Sequence, residues 1–145
     1  MSHPLLADKS VITLVLAKEL LAAAESAIVD RGWGMYVAFV DDAGTPVLVA
    51  GVNNAQPASW KISIRKAQSA ARFRRATKVW EERVKGGAPN VMTLPGVIAS
   101  EGGVPLLFEG RVIGAVGISG GTGAEDGVIG QIVVEALTQK LTQVL

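Results

Sequence analysis

The segment RVIGAVGISGGTG, residues 111–123, decides the fold of this chain. Its first nine residues are rich in β-branched side chains and predict a strand over Arg111–Ser119. Three of the next four residues are glycine, which is typical of a sharp turn. Helical spacing of apolar residues then predicts a final helix from about Glu125 to Lys140. A strand therefore passes through a glycine-rich turn directly into a helix.

Working outward, two turn signals predict hairpins. Glu109-Gly110 is a tight turn before the strand at 111–119, and Asp42-Ala43-Gly44 separates two runs of β-forming residues. Strands joined by hairpins pair antiparallel, so most of the sheet is predicted to be antiparallel. The five predicted strands are Met35–Asp41, Thr45–Gly51, Gly96–Ser100, Val104–Phe108 and Arg111–Ser119.

Three further helices are predicted from apolar spacing and capping residues. Asp8 or Ser10 is expected to cap a first helix that runs to about Val29. Ser59 is expected to cap a second helix that runs to about Arg75, and a shorter helix covers about 77–85. The resulting order, α-β-β-α-α-β-β-β-α, predicts a three-layer α+β fold. With no internal repeat and no linker, residues 1–145 are expected to form one domain.

Composition limits the classes of function. Of the 145 residues, 49% are hydrophobic, which is enough for a core, and a net charge of +1 argues against a nucleic-acid partner. No cysteine is present, which excludes disulfides and thiolate metal sites. The N-terminus shows no secretory signal, and the apolar stretch at 11–16 is too short to span a bilayer. A cytoplasmic protein with no membrane partner is therefore expected.

Four ordered blocks of sequence resemble the GlcG/HbpS-like family, which is related to the C-terminal domain of PduO. The blocks cover nearly the whole chain. They are VDDAG at 40–44, SIRKAQSAARF at 63–73, LPGV at 94–97 leading into GGVPL at 102–106, and GAVGISGG at 114–121 followed by Asp126.

The resemblance implies a profilin-like fold, in which a five-stranded antiparallel sheet lies between helices. It also implies homo-oligomers built from dimers. Members are described as heme-binding or heme-degrading, and others belong to operons for glycolate or diol catabolism. Heme is therefore the cofactor that the resemblance suggests.

The residues themselves offer heme iron few ligands. His3 is the sole histidine and lies near the terminus, while Met35, Met92 and Tyr36 are typical packing residues. Some family members are thought to use a hydroxyl side chain just after the paired glycines, but here Val104 stands at that position. A heme would then lie in an apolar crevice, with its propionates held by lysine or arginine.

Other reaction chemistries are also restricted. A histidine-based triad is excluded in practice because His3 is the sole histidine. Glu81 and Glu82 are adjacent, so on a helix they point about 100° apart, and no metal site is predicted. Any general acid or base would have to be a carboxylate, lysine or tyrosine. The candidates are Asp41, Asp42, Glu101, Asp126 and Lys66.

Lys66 is the most informative charged residue of the second helix. Arg65 belongs to a polar stripe on that helix, whereas Lys66 lies about 100° away, on a partly apolar face. Either the Lys66 ammonium reaches water along a packed stem, or it is desolvated and binds an anion or a carbonyl. The surrounding basic cluster is either a solvated face or a site for an anionic ligand.

Two glycine-rich bends have both structural and functional interpretations. Ser119-Gly120-Gly121 is either a sharp turn capped by Thr122 or an anion-binding loop at a helix N-terminus. Gly102-Gly103 is either a bulge or a wall that lets a flat ligand approach the backbone. The spacing fits neither a P-loop nor a dinucleotide-binding motif.

We therefore predict a small-ligand-binding protein. The ligand, which is heme or another planar or carboxylated molecule, would contact Arg65, Lys66, Gly102, Gly103, Val104, Ser119, Gly120 and Gly121. A second hypothesis is a cofactor-independent enzyme that acts on a hydroxy acid or a diol-derived metabolite, with Lys66 or a carboxylate as acid and base. A third is an accessory subunit that binds no ligand.

Overall fold

A computed structural model describes residues 2–143 of the chain. It contains an antiparallel sheet with helices on both faces, as the hairpin signals predict. The elements in chain order are α1 Leu14–Asp30, β1 Met35–Asp41, β2 Pro46–Val52, α2 Ser59–Phe73, α3 Thr77–Lys85, a 3-10 turn at Pro89–Thr93, β3 Gly103–Phe108, β4 Arg111–Ser119 and α4 Gly123–Gln143.

The sheet has four strands in the order β2-β1-β4-β3, and every neighbouring pair is antiparallel. The expectation of a fifth strand at Gly96–Ser100 is therefore wrong. Gly96 has a φ of +88°, and Val97 donates its N–H back to Leu94 O, so this segment turns rather than extends. The buried Val97 packs in a small cluster with Trp80 and Val91. A short apolar run has no periodicity that distinguishes a strand from a packed loop.

Two cores lie on opposite faces of the sheet. On one face, large side chains from α1, α4 and the strands pack together, with Leu20, Phe39 and Ile129 fully buried. On the other face, α2 packs through alanines against β1 and β4. Small residues let α2 approach closely: at Gly117 of β4, an added Cβ would collide with the α2 backbone at Ser63 O. The high glycine and alanine content thus brings α2 close to the ends of the strands.

Helix starts differ from the sequence expectation in two places. Thr13, rather than Asp8 or Ser10, caps α1, because its side chain accepts from Leu16 N and Ile12 N–H is already bonded to Ile113 O of β4. Ser59 is the first residue of α2 and not its cap; its Oγ accepts from Gln56 Nε2 at 2.9 Å. A contact with a distant strand sets the start of α1, whereas a local hydrogen bond from Gln56 occupies the Ser59 hydroxyl at the start of α2.

Candidate functional site: a glycine-walled recess

The two glycine-rich bends meet at a buried ion pair. Lys66 Nζ of α2 lies 2.9 Å from Asp126 Oδ2 of α4, and each side chain is only 3% exposed. Lys66 Nζ also donates to Ile118 O at 3.0 Å, close to the end of β4. Asp126 Oδ1 accepts the N–H of Gly121 at 3.0 Å. The pair therefore links α2, α4, β4 and the glycine turn at 119–121.

The second bend lies against the same pair. Gly102 O accepts from Ile118 N at 2.9 Å. Gly102 has a φ of +133°, and a Cβ there would lie 2.9 Å from Lys66 Nζ and 2.5 Å from Ile118 O. Gly103 N–H donates to Thr77 Oγ1 of α3 at 2.9 Å. Only glycine fits at 102, because a side chain would need both a disfavoured φ and space that Lys66 occupies.

Burial raises the pKa of the Asp126 carboxyl above its ordinary value of 3.8. The Lys66 ammonium and the Gly121 N–H act in the opposite direction, since both favour the charged carboxylate. Taking a carboxylate out of water is costly, and here that cost exceeds the favourable interactions around it. The pair thus holds the two bends together, and its burial lowers the free energy of unfolding.

A recess of about 420 Å³ opens outside the Gly102-Gly103 bend, between α4 and the start of β3. Gly102 and Gly103 present backbone to it, while Val104 and Val128 contribute apolar surface. Its volume lies at the lower end of the range for small-molecule sites. The complete lining is Ala76, Lys78, Glu101, Gly102, Gly103, Val104, Ala124, Gly127, Val128 and Gln131.

The residues proposed from sequence fall into three groups. Gly102, Gly103 and Val104 line the recess. Lys66 lies behind the Gly102 wall rather than in the recess. The remaining residues are outside the lining: Arg65 is exposed on α2, Ser119 is buried, and Gly120 and Gly121 form the turn that Asp126 holds.

Three further polar residues line the recess, and of these the sequence singled out only Glu101, as a candidate general acid or base. Lys78 comes from α3, Glu101 precedes the glycine bend, and Gln131 lies on α4. Lys78 belongs to the basic cluster of 61–85, but nothing in its spacing separates it from its solvated neighbours. Among residues 2–143, no group of three or more His, Cys, Asp or Glu side chains could hold a metal ion.

A larger depression of about 980 Å³ lies at the opposite end of the β3–β4 hairpin. Three of its charged residues are bonded to one another, whereas Asp8, Glu109 and Arg111 are in no ion pair of residues 2–143. Lys9 pairs with Asp42 at 2.8 Å, and Arg74 donates to Asp42 O at 2.9 Å. The smaller recess is the better candidate because the Gly102-Gly103 bend forms its wall, next to the buried Lys66–Asp126 pair, and because Lys78 and Glu101 lie there beside apolar Val104 and Val128.

Comparison with known proteins identifies the family. A model described as "Haem degrading protein HbpS-like" matches residues 12–138. The chain belongs to the HbpS-like family. It is 34% identical over 111 residues to Protein GlcG of Escherichia coli K12, covering 77% of this chain and 83% of that protein.

Solved structures agree with this assignment. Klebsiella pneumoniae protein ORFY superposes with a TM-score of 0.85 at 28% identity, over 95% of this chain and 97% of that one. HbpS also gives a TM-score of 0.85, at 25% identity over 94% of this chain and 97% of that one. A PduOC:heme complex gives 0.77 at 26% identity, over 87% of this HbpS-like chain and 94% of the other.

Proposed function

We propose that this HbpS-like chain is a ligand-binding protein whose recess beside Gly102-Gly103 takes a small planar or carboxylated molecule. One observation carries the proposal: the chain keeps an open recess with a wall of bare backbone, and Lys66 and Asp126 are buried behind it. Such burial costs stability, and here it joins the two glycine bends beside the recess through bonds to Ile118 O and Gly121 N–H. In this proposal, Lys66, Ser119, Gly120 and Gly121 shape the wall and do not touch the ligand.

Heme is the first ligand to test, since one structural relative is a PduOC:heme complex. The lining contains none of the usual axial ligands, which are His, Cys, Met and Tyr. The recess therefore does not fit coordination of the iron by these side chains. A porphyrin would be held by contact of the ring with Val104 and Val128, and by its propionates.

Further parts of the proposal concern assembly and cellular role. We propose a homo-oligomer built from dimers, acting in the cytoplasm as an accessory to small-molecule catabolism. One curated relative, 29% identical over 132 residues, is a protein from the dhaT-dhaS intergenic region of Citrobacter freundii. None of the helices within residues 2–143 combines the length and the apolar character needed to cross a bilayer.

The enzyme hypothesis considered Lys66 or a carboxylate as acid and base, and these candidates differ in their access to the recess. Lys66 lies behind the wall and is paired with Asp126, so its ammonium is out of reach of a substrate in the recess. The carboxylate that lines the recess is that of Glu101. A cofactor-independent acid–base reaction on a hydroxy acid would therefore depend on Glu101.

Titration with hemin, followed at the Soret band, tests the binding proposal. We expect saturable binding to the wild type. Val128→Trp should abolish it, because Val128 is 42% exposed and an indole there would fill the recess without entering the core.

Val29→Trp is the matched control, since Val29 is also an exposed valine, on α1 and outside the recess lining. It should bind hemin as the wild type does. Loss of binding in both variants, or in neither, would place the hemin site elsewhere. No saturable binding to the wild type would remove heme as the ligand.

A further inference from the structure

The recess contains two charges of opposite sign that lack ion-pair partners. Lys78 and Glu101 both line it. The ion pairs among residues 2–143 are Lys9–Asp42, Lys66–Asp126 and Lys85–Glu81, and none includes Lys78 or Glu101. The Lys78 ammonium and the Glu101 carboxylate are therefore more than 4.0 Å apart.

The other basic residues first considered cannot replace Lys78. Lys66 is neutralised by Asp126 and screened by Gly102. Arg65 is exposed and does not line the recess. Lys78 is thus the cation that an acidic group in the recess would meet.

Glu101 is held in place by contacts of both its backbone and its side chain. Its backbone N–H donates to Glu81 Oε1 of α3 at 3.3 Å. Its side chain lies on α4 at Gly127, where an added Cβ would collide with the carboxylate, and its Cβ packs near Gly123. Glycines on α4 therefore make room for this carboxylate. The Glu101 side chain therefore places a hydrogen-bond acceptor at the α4 wall, while Lys78 lies on α3.

We propose that the recess selects a ligand with an acidic group and a nearby hydrogen-bond donor, either a hydroxyl or an ammonium, on a small apolar frame. Lys78 binds the acid, Glu101 accepts from the donor, and Val104 and Val128 contact the frame. This inference rests on the proposed function, because it assumes that ligands enter this recess. Charge-assisted hydrogen bonds are about twice as strong as neutral ones, so both groups contribute to selection.

Calorimetric titration with four related probes tests the inference. Mandelate and phenylglycine carry an acid, a donor and a ring; phenylacetate lacks the donor, and methyl mandelate lacks the charge. We expect mandelate or phenylglycine to bind at least about tenfold more tightly than phenylacetate and methyl mandelate. The stronger of the two identifies the donor as a hydroxyl or an ammonium.

Two variants assign the residues. Lys78→Met should abolish the preference for mandelate over its methyl ester, and Glu101→Leu should abolish the preference over phenylacetate. Arg65→Met, on an exposed residue outside the lining, should change neither preference.

Equal binding of all four probes, no binding of any, or preferences that survive in both variants would overturn the inference. Failure of the proposed function gives a different pattern. Suppose that the wild type binds hemin and that Val128→Trp abolishes this binding, but that the probe preferences are absent. Then only the ligand class is wrong. If neither hemin nor any probe binds at the recess, the proposed function fails as well.

Discussion

At the scale of single residues, the Lys66–Asp126 pair is the main polar feature of the interior. Both side chains are 3% exposed, and each has one further hydrogen bond, to Ile118 O and from Gly121 N–H. Removing one member of such a pair leaves a buried charge without compensation, whereas replacing both with apolar residues is often nearly neutral. The pair is therefore expected to contribute to the shape of the bends more than to net stability.

We predict that Lys66→Met lowers the free energy of unfolding by about 3–5 kcal/mol, because the Asp126 carboxylate stays buried and unpaired. The double variant Lys66→Met/Asp126→Leu should recover most of that loss. Urea unfolding monitored by circular dichroism measures both. Arg65→Met, at an exposed neighbour, should stay within about 0.5 kcal/mol of the wild type. A double variant that loses as much as the single one would contradict this account.

The raised pKa of Asp126 gives a pH dependence with a defined sign. The folded carboxyl holds its proton at pH values where the unfolded chain, with a pKa of 3.8, has released it. The stability that this group adds is therefore lost as pH rises through the folded-state pKa. As pH rises above about 4, we expect the unfolding free energy, measured by urea unfolding, to decline less in Asp126→Asn than in the wild type. A steeper decline in the variant would show that the shift has the opposite sign.

Sequence reasoning singled out Lys66 and Asp126 separately but did not predict that they form an ion pair. The helical face of Lys66 shows that it is not on the polar stripe, yet Asp126 is 60 residues away and only the tertiary fold joins them. A buried ammonium bound to a carboxylate and a carbonyl matches the desolvated alternative rather than the solvent-reaching one. Lys78 carried no sequence signal, since an isolated lysine looks like any solvated charge. Glu101 was a candidate general acid or base, but nothing in the sequence separated it from the other carboxylates.

At the scale of elements, close packing of α2 on β4 depends on glycine. An added Cβ at Gly117 would collide with Ser63 O and lie 2.6 Å from Ala67 N, both backbone atoms that cannot move aside alone. We predict that Gly117→Ala destabilises the fold by about 1–3 kcal/mol through overpacking. Thermal and urea unfolding measure the loss.

Gly123→Ala is the matched control for this substitution. A Cβ there meets its nearest atoms at 3.4 and 3.5 Å, which is ordinary contact, and alanine is a better helix former. Its stability should equal or exceed that of the wild type. Equal effects at positions 117 and 123 would argue against the packing described here.

The start of α4 has a reciprocal cap. Thr122 Oγ1 accepts from Glu125 N at 3.2 Å, and Glu125 Oε1 accepts from Thr122 N at 2.9 Å. We predict that Thr122→Ala costs about 1 kcal/mol, the ordinary value of such a cap. Thr138→Ala, at an exposed threonine within the same helix, is the control and should be close to neutral. Denaturation midpoints of the two variants compare them directly, and equal midpoints would refute the role of the cap.

Elements with strong local signals were predictable. The helix at 77–85, the strand at 111–119 and both hairpin turns follow from capping, β-branched runs and turn residues. The prediction of a fifth strand was wrong because the apolar run around Val97 is short and has no clear periodicity. Its packing against Trp80 depends on the tertiary structure, which the local sequence does not show. The predicted start of α1 was wrong because a backbone hydrogen bond from Ile12 to β4 determines where the helix begins.

At the scale of the whole molecule, the two ends of the β3–β4 hairpin differ in chemistry. The turn end has the larger depression, where Lys9 and Arg74 are already bonded to Asp42. The glycine end has the recess, where Lys78 and Glu101 face open space without ion-pair partners among the described residues. The sequence predicted that glycine bends and a cationic helix would come together. It did not predict that Lys66 of that helix would be buried behind the wall in an ion pair with Asp126.

The central claim is that ligands bind beside the Gly102-Gly103 bend, and a crystal structure of the chain soaked with hemin or mandelate tests it most directly. The account predicts ligand density between α4 and the start of β3, in contact with Val104 and Val128. Density at the depression lined by Asp42, Arg74 and Arg111, with an empty recess at the glycine bend, would contradict it.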